Sequence, residues 1–596
     1  MKTHKVIAAI KYNLTAIAIV STCLFYNINT SYAQLFFNLA NQDQVTRMQD
    51  RQIQRRQIED EKEQIKKRKK LLSKPKKTHI FKKTSTIECF KIKEIQLNKN
   101  KFISQKYLTK ISLEYLNKCL TKNIVKEIKS RIYVKINDKG YITSQVIMPK
   151  QNISTGIIKF EIAFGMIGKI RLNEDDFTDE IQKFLVFGNL TGKVLDVKDL
   201  NQGLFQINKL PSSNSKMKIV PSDKDGYSDI IIKNERNFPL RASVTHDNLG
   251  NDFTGVKRFT FSSSTDNLLS LSENLNLSFT NNLNDSNSKK EMESANISMA
   301  IPFRYYTISY NYSDTDYMGK VTTDNENYTI NGYSRRKTIS LARSLIHKDL
   351  HSLNISSALT MKDTGSQNIL NSSSVDSNRK RLAILDLSLS FSRSSKSFNI
   401  FLKPTILQGL SKFGADKDLN DAPLDQAKNQ FRAYRLYFNI NKPVQIGKIR
   451  VTFSSEADGQ LSEETLHGSE QFSIGGYYSV RGFRENYISG DHGYYIRNKI
   501  NVNLGSIASP PLKEYPKIAS KLYNISLEPF FDYGSVRDKV TSTGGRLSGA
   551  GIATTYNGKY INSSITYSRG LNRSKLIDPA LKKEKHAIYL QLSVGF

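Results

Sequence analysis

The chain has no tryptophan, three cysteines and eight histidines in 596 residues. Beyond its N-terminal stretch it has no run of about 20 apolar residues, so helical membrane spans are excluded. The signatures of nucleotide and hydrolytic chemistry are also missing. Gly188–Lys193 places a lysine after a glycine, but the spacing is wrong for a phosphate loop and Val194 follows. His347-Lys-Asp-Leu-His351 has the spacing of two metal ligands on a helix face. It lies between alternating segments, however, where a short turn is expected. No Gly-x-Ser-x-Gly elbow and no His-Glu-x-x-His pair occurs. No enzyme activity, metal or cofactor is expected.

The charge is one-sided, at +33. Much of it sits in Arg51–Lys83, and the rest is scattered lysine. No stacking-aromatic pattern accompanies it, so nucleic acid is not the expected partner. Solvated lysines, with contacts to anionic lipid headgroups, account for it. The N-terminus reads as an export signal: Lys2, Lys5 and Lys11, apolar Leu14–Tyr26, then Ser31-Tyr32-Ala33 as a cleavage site. Lipidation at Cys23 is the alternative, disfavoured by the bulky Thr22 before it. Cleavage after Ala33 leaves Cys89 and Cys119. In an oxidising compartment two cysteines suggest one disulfide, against the alternative of two buried thiols.

At this length more than one folding unit is expected. Residues 34–72 are polar with helical spacing, and such a helix buries little apolar area, so its partner should be polar. Residues 73–87 are a Lys-rich linker with Pro75. From 88 to 235 a β-α-α-β-β order occurs twice, giving two small α+β modules divided at 165/166. Each should have a sheet edge able to accept an added strand. From 236 to 596 the texture is alternation. Leu385-Asp-Leu-Ser-Leu-Ser-Phe391 and Ile588-Tyr-Leu-Gln-Leu-Ser-Val-Gly-Phe596 put apolar residues on one face only. Such strands, at about 22 residues per strand and loop, predict a transmembrane barrel of about 16 strands. Without tryptophan, its interface girdles must be Tyr and Phe.

One arginine stands out against this pattern. Gly475-Gly-Tyr-Tyr-Ser-Val-Arg-Gly-Phe483 sets Arg481 among glycines and aromatics between membrane strands. A charge there cannot face lipid, and a buried guanidinium needs a carboxylate.

Together these residues resemble the transporter component of two-partner secretion, the TpsB family of ShlB- and FhaC-like proteins, related to BamA. Cys89-Phe-Lys-Ile, Lys118-Cys119-Leu and Lys139-Gly-Tyr-Ile-Thr-Ser144 are similar to the family's first POTRA domain. Val194–Gly203 and Leu204–Pro211 resemble its second. Asp247-Asn-Leu-Gly250 and Thr254-Gly255 fit the start of its barrel. Ser479-Val480-Arg481-Gly482-Phe483 resembles the tip of a long extracellular loop that folds back into the lumen, and Glu528-Pro-Phe-Phe-Asp-Tyr-Gly534 resembles the strand that receives it.

The resemblance implies an export signal (1–33), an N-terminal plug helix (34–72, with a free coiled-coil or disordered arm as the rival reading), a linker (73–87), POTRA domains at 88–165 and 166–235, and a barrel at 236–596. Strand parity agrees without the family: Ser526, Glu528, Phe530 and Asp532 share a face, and that face holds both acids. Asp532 is the expected partner of Arg481, with Glu528 second. The competing reading is an ordinary loop charge and a solvated acid. The implied function is an outer-membrane pore, monomeric and ATP-independent, that secretes one large haemolysin- or adhesin-like exoprotein captured by the POTRA domains. An assembly factor of the BamA or TamA type is the alternative, although those carry more POTRA modules. A passive porin has no use for the modules or the loop.

Overall fold

Isoleucine at helical spacing builds the first module. The computed structural model describes residues 90–596 except 99–102, 174–176, 283–289, 323–326, 349, 371–372, 378, 396, 420–422, 424, 448, 485–486, 509–521, 541, 543 and 573–585, with Arg51, Gln52, Arg55 and Glu59 described before them. The expected export signal, linker and Cys89 lie outside the described residues. In α2 (Lys122–Asp138), Ile128, Ile132 and Ile136 recur every fourth residue on one buried stripe. The helix starts at Thr121, whose Oγ1 accepts a hydrogen bond from the Ile124 N–H. Before it, α1 (Gln105–Tyr115) buries Leu108, Ile111 and Tyr115. Both pack on a sheet of β1 (Glu94–Asn98), β3 (Ile157–Ala163) and β2 (Gln145–Ile147), in that spatial order.

β2 is only three residues long, because Gly140 turns at φ +110° and Ser144 N–H bonds back to the Tyr141 carbonyl at 3.2 Å. Cys119 is disulfide-bonded.

The second module repeats the plan. β4 (Met166–Leu172), β6 (Tyr227–Arg236) and β5 (Ser213–Pro221) form its sheet, with α3 (Phe177–Phe187) and α4 (Val197–Asn208) on one face. The modules join through backbone: Val197 N–H to the Gly140 carbonyl at 2.9 Å, and Leu195 N–H to that of Gly165 at 2.8 Å.

The rest is a closed antiparallel barrel from Arg241–Asp247 to His586–Gly595, whose ends pair Gln591 with Asp247 and Gly595 with Ser243. Ser373–Ser377 and Lys380–Ser394 both pair with His351–Leu370 and count as one strand, giving 16 among the described residues. His347 and His351 flank the turn between two strands (Asn327–Lys348 and His351–Leu370), and among the described residues no group could hold a metal.

Alternation sorts the wall. Leu385, Leu387, Leu389 and Phe391 face outward, while Ser388, Ser390 and Ser392 are buried on the inner side. There the hydroxyls satisfy one another: Ser356 with Ser388 at 2.8 Å, and Thr338 with Thr360 at 3.1 Å. Exposed Tyr310, Tyr434, Tyr494, Tyr567 and Phe453 supply aromatic surface in place of tryptophan.

The second module is fastened to the barrel at the turn Arg304–Tyr305. Arg304 adopts φ +53°, its N–H bonds the Leu185 carbonyl at 2.7 Å, and its carbonyl accepts from Gln206 Nε2 at 2.7 Å. Tyr305 donates to Asp199 at 2.6 Å.

Candidate functional site

Between strands Ile449–Ser462 and His492–Asn503 the chain runs through a long connection that enters the lumen. Its stem is a two-stranded ribbon, Phe472–Ile474 against Ile488–Gly490. Glycine makes the tip possible. Gly475, Gly476 and Gly482 all have positive φ, at +114°, +75° and +107°. Ser479 holds the bend together, its hydroxyl donating to the Gly475 carbonyl at 2.6 Å and accepting from the Gly475 N–H at 2.8 Å. Val480 and Phe483 are fully buried beside Phe472, Ile474 and Leu547. Asp491 fixes the base, accepting from the Leu466 N–H at 2.8 Å and the Lys539 N–H at 3.0 Å.

The tip delivers Arg481 to Asp532. Nε and one terminal nitrogen of the guanidinium donate to the two carboxylate oxygens at 2.6 and 2.8 Å, and the Arg481 N–H adds a third bond at 3.1 Å. The side chains are 6% and 0% exposed. The guanidinium also lies 3.3 Å from the centroid of the Phe530 ring, which shares the lumenal face of the strand Ile525–Arg537. Bidentate, stacked and dry, this contact uses the features that distinguish arginine from lysine. Glu528 does not join it. It accepts from Lys499 Nζ and Asn501 Nδ2, both at 2.7 Å, four residues back along the same strand.

Two functional residues, Glu456 and Arg497, were not read from the sequence. Glu456, Arg497 and Asp532 form one row across three neighbouring strands, since Glu456 pairs in register with Arg497 and Arg497 with Asp532. The row continues to Gly549 and Gly570. These glycines make room for the loop: a Cβ on Gly549 would lie 1.8 Å from the Arg481 carbonyl oxygen, and one on Gly570 would lie 2.8 Å from the Phe483 ring. Parity within His492–Asn503 puts Tyr495, Arg497 and Lys499 on one face. That signals an inward arginine, but its neighbours depend on cross-strand register.

The fourth partner comes from the N-terminal segment. Arg55, helical and inside the barrel, donates to Glu456 at 2.7 Å and to the Tyr478 carbonyl of the loop. It also donates to the Tyr495 hydroxyl at 3.3 Å and lies over the Tyr478 ring. Arg51, one turn before it, sits over Phe472. The partners are polar or aromatic, as a helix with a weak apolar face requires.

Beyond this cluster the lumen opens into a cavity of about 730 Å³ whose lining includes Gln202, Gln206 and Lys209 of the second module as well as Ser388, Ser390 and Arg435 of the wall.

A family described as "Haemolysin secretion/activation protein ShlB/FhaC/HecB" matches residues 226–556, over half of the chain. The chain belongs to that family. Residues 90–165 match the ShlB-type POTRA domain and 166–221 a second POTRA domain. The outer membrane transporter CdiB of Dickeya dadantii is 26% identical over 478 residues, 80% of this chain and 82% of that protein. The hemolysin transporter protein ShlB of Serratia marcescens is 26% identical over 402 residues, 66% of this chain and 69% of that protein. The fold is similar to that of CdiB from Escherichia coli, with a TM-score of 0.77 and 23% identity, covering 95% of this chain and all of that one. The transporter is accordingly an outer-membrane protein of two-partner secretion, with its POTRA domains in the periplasm, and not an assembly factor.

Proposed function

We propose that the transporter captures the unfolded N-terminal part of one large exoprotein on its POTRA modules and passes it along the hydroxyl-lined wall of the barrel. The observation that carries this reading is the shared cavity. Module residues and lumenal wall residues line one continuous space, so a chain captured by the first module and passing over the second already lies at the pore entrance.

Capture is assigned to the edge of the first module. There β2 has a free side in the order β1-β3-β2, and exposed Ile147 together with Tyr133, whose hydroxyl reaches the Ile142 carbonyl just before the strand, offers apolar contact near it. An extended peptide adding to β2 would gain main-chain hydrogen bonds and use these side chains for selectivity. The N-terminal helix occupies the lumen at rest and must leave before cargo passes. Its arginine contacts support this plug role. Folding of the cargo outside the cell would bias its diffusion outward without nucleotide. Arg481 and Asp532 hold the loop against the wall, leaving the hydroxyl-lined side free.

Deleting the gene should remove one large protein from the culture supernatant or cell surface while bulk outer-membrane proteins remain. Arg481→Ala strands Asp532 in a dry site, a cost of about 3–5 kcal/mol. Secretion should then fall although the barrel inserts. Normal secretion by the inserted variant would sink the role given to the loop.

A further inference from the structure

The row Glu456–Arg497–Asp532 holds an imbalance. Each carboxylate has turned to an arginine from elsewhere: Glu456 to Arg55 of the helix at 2.7 Å, and Asp532 to Arg481 of the loop at 2.6 Å. Arg497 stands between them, 3.9 Å from Glu456 and 4.0 Å from Asp532. Its side chain is 14% exposed, and its Nε has no hydrogen-bond partner. One terminal nitrogen donates to the Tyr477 carbonyl at 3.2 Å, next to the Tyr478 carbonyl that Arg55 uses. Among the described residues, three guanidinium groups therefore share two carboxylates. Including the nearby Arg51, Arg435 and Asp458 leaves positive charge in excess.

A buried guanidinium with an idle donor and two half-distant carboxylates has a better arrangement within reach. If Arg55 departs, the remaining groups balance: Arg497 beside Glu456, its register partner, and Arg481 alone with Asp532. Only a side-chain movement across the gap to Glu456 is needed. The seated helix thus blocks the better-paired state of the wall.

We propose that Arg497 is a positioning residue that couples the helix to the loop by changing partner, shared while the helix is seated and taken up by Glu456 when the helix leaves. It lowers the barrier to unplugging and tightens the Arg481–Asp532 contact once the pore is open. The proposal rests on reading the helix as a plug.

The test is single-channel recording of the full chain in planar lipid bilayers. Arg497→Gln removes the competitor for Glu456, so openings should become roughly tenfold rarer, within the range of coupling between neighbouring charges, while Arg497→Lys stays near the parent. Asp532→Asn frees Arg497 to compete with Arg55, so openings should become more frequent, and adding Arg497→Gln should reverse the gain. Unchanged or increased opening in Arg497→Gln, or no reversal in the double variant, overturns the proposal. If Arg497→Gln fails to insert, the comparison of Asp532→Asn alone with Asp532→Asn/Arg497→Lys decides it: the lysine must retain the more frequent opening, and its loss overturns the proposal. Deletion of residues 34–72 separates the two readings. If deletion does not raise conductance, the plug reading itself fails. If deletion raises conductance but Arg497→Gln has the same effect with and without the helix, the plug stands and the coupling fails.

Discussion

At the scale of single residues, the loop is held as much by missing side chains as by charges. Arg481 reaches Asp532 only because Gly549 lets the loop backbone lie against the wall. Glycine costs strand stability, about 0.5–1 kcal/mol relative to alanine, so at two successive positions of one row it needs a local reason. The close approach of the loop supplies it. Gly549→Ala should therefore push the tip away and break the bidentate contact without altering any charge. Limited proteolysis of the membrane-inserted protein should show faster cleavage in 475–483, and secretion should fall as in Arg481→Ala; a loop as protected as in the parent would refute this. Arg481→Lys tests the other half. Lysine keeps the charge but loses the fork and the planar contact with Phe530, so secretion should be intermediate between parent and Arg481→Ala. The loop motif and the acids of 526–532 were legible because parity fixes which residues share a face. Parity alone does not choose between the two acids, of which the sequence reading ranked Asp532 first and Glu528 second. Asp532 and Glu528 lie on one face, four residues or about 13 Å apart, and only the three-dimensional path of the loop selects between them.

At the scale of elements, periodicity did most of the work. Helices of the modules appear where isoleucine and leucine recur at helical spacing, and barrel strands appear where serine alternates with leucine. What alternation cannot supply is register. Turn and loop lengths set which residue stands opposite which, so the charged row through Glu456 and Arg497 was invisible although each member was in plain view. The same limit shortens β2, where a glycine turn at Gly140 overrides a strand-like sequence. That short strand has a consequence for capture. Its free edge offers few main-chain groups, so the apolar residues beside it should carry much of the affinity. Tyr133→Asp or Ile147→Asp in the full-length transporter should weaken exoprotein capture roughly tenfold, the cost of one well-packed interface residue. Barrel insertion and single-channel behaviour should not change. Co-purification of the exoprotein's N-terminal part reads the effect, and undiminished capture would place the contact elsewhere.

At the scale of the whole molecule, the question is how a binding event in the periplasm reaches a helix inside the pore. The second module does not hang freely. Its helix α4 grips the Arg304–Tyr305 turn, and Ser212 N–H reaches Asp266 at the foot of a barrel strand at 2.8 Å. The modules are in turn joined by two backbone hydrogen bonds. Load applied to the first module is thus passed to the barrel rim through short, largely part-buried contacts rather than a slack tether. Gln206→Leu leaves the Arg304 carbonyl dependent on the longer bond from Gln202 at 3.3 Å, and Tyr305→Phe removes the bond to Asp199. Each change should cost about 0.5–1.5 kcal/mol of docking, and both together should loosen the module while leaving the wall intact. Spin-label distances between the second module and the strand Tyr306–Thr322 should broaden in the double variant. Capture should persist and secretion should fall, because a cargo bound to a swinging module no longer lies at the pore entrance. Broad distances with normal secretion would mean that the rigid joint is not needed for transport.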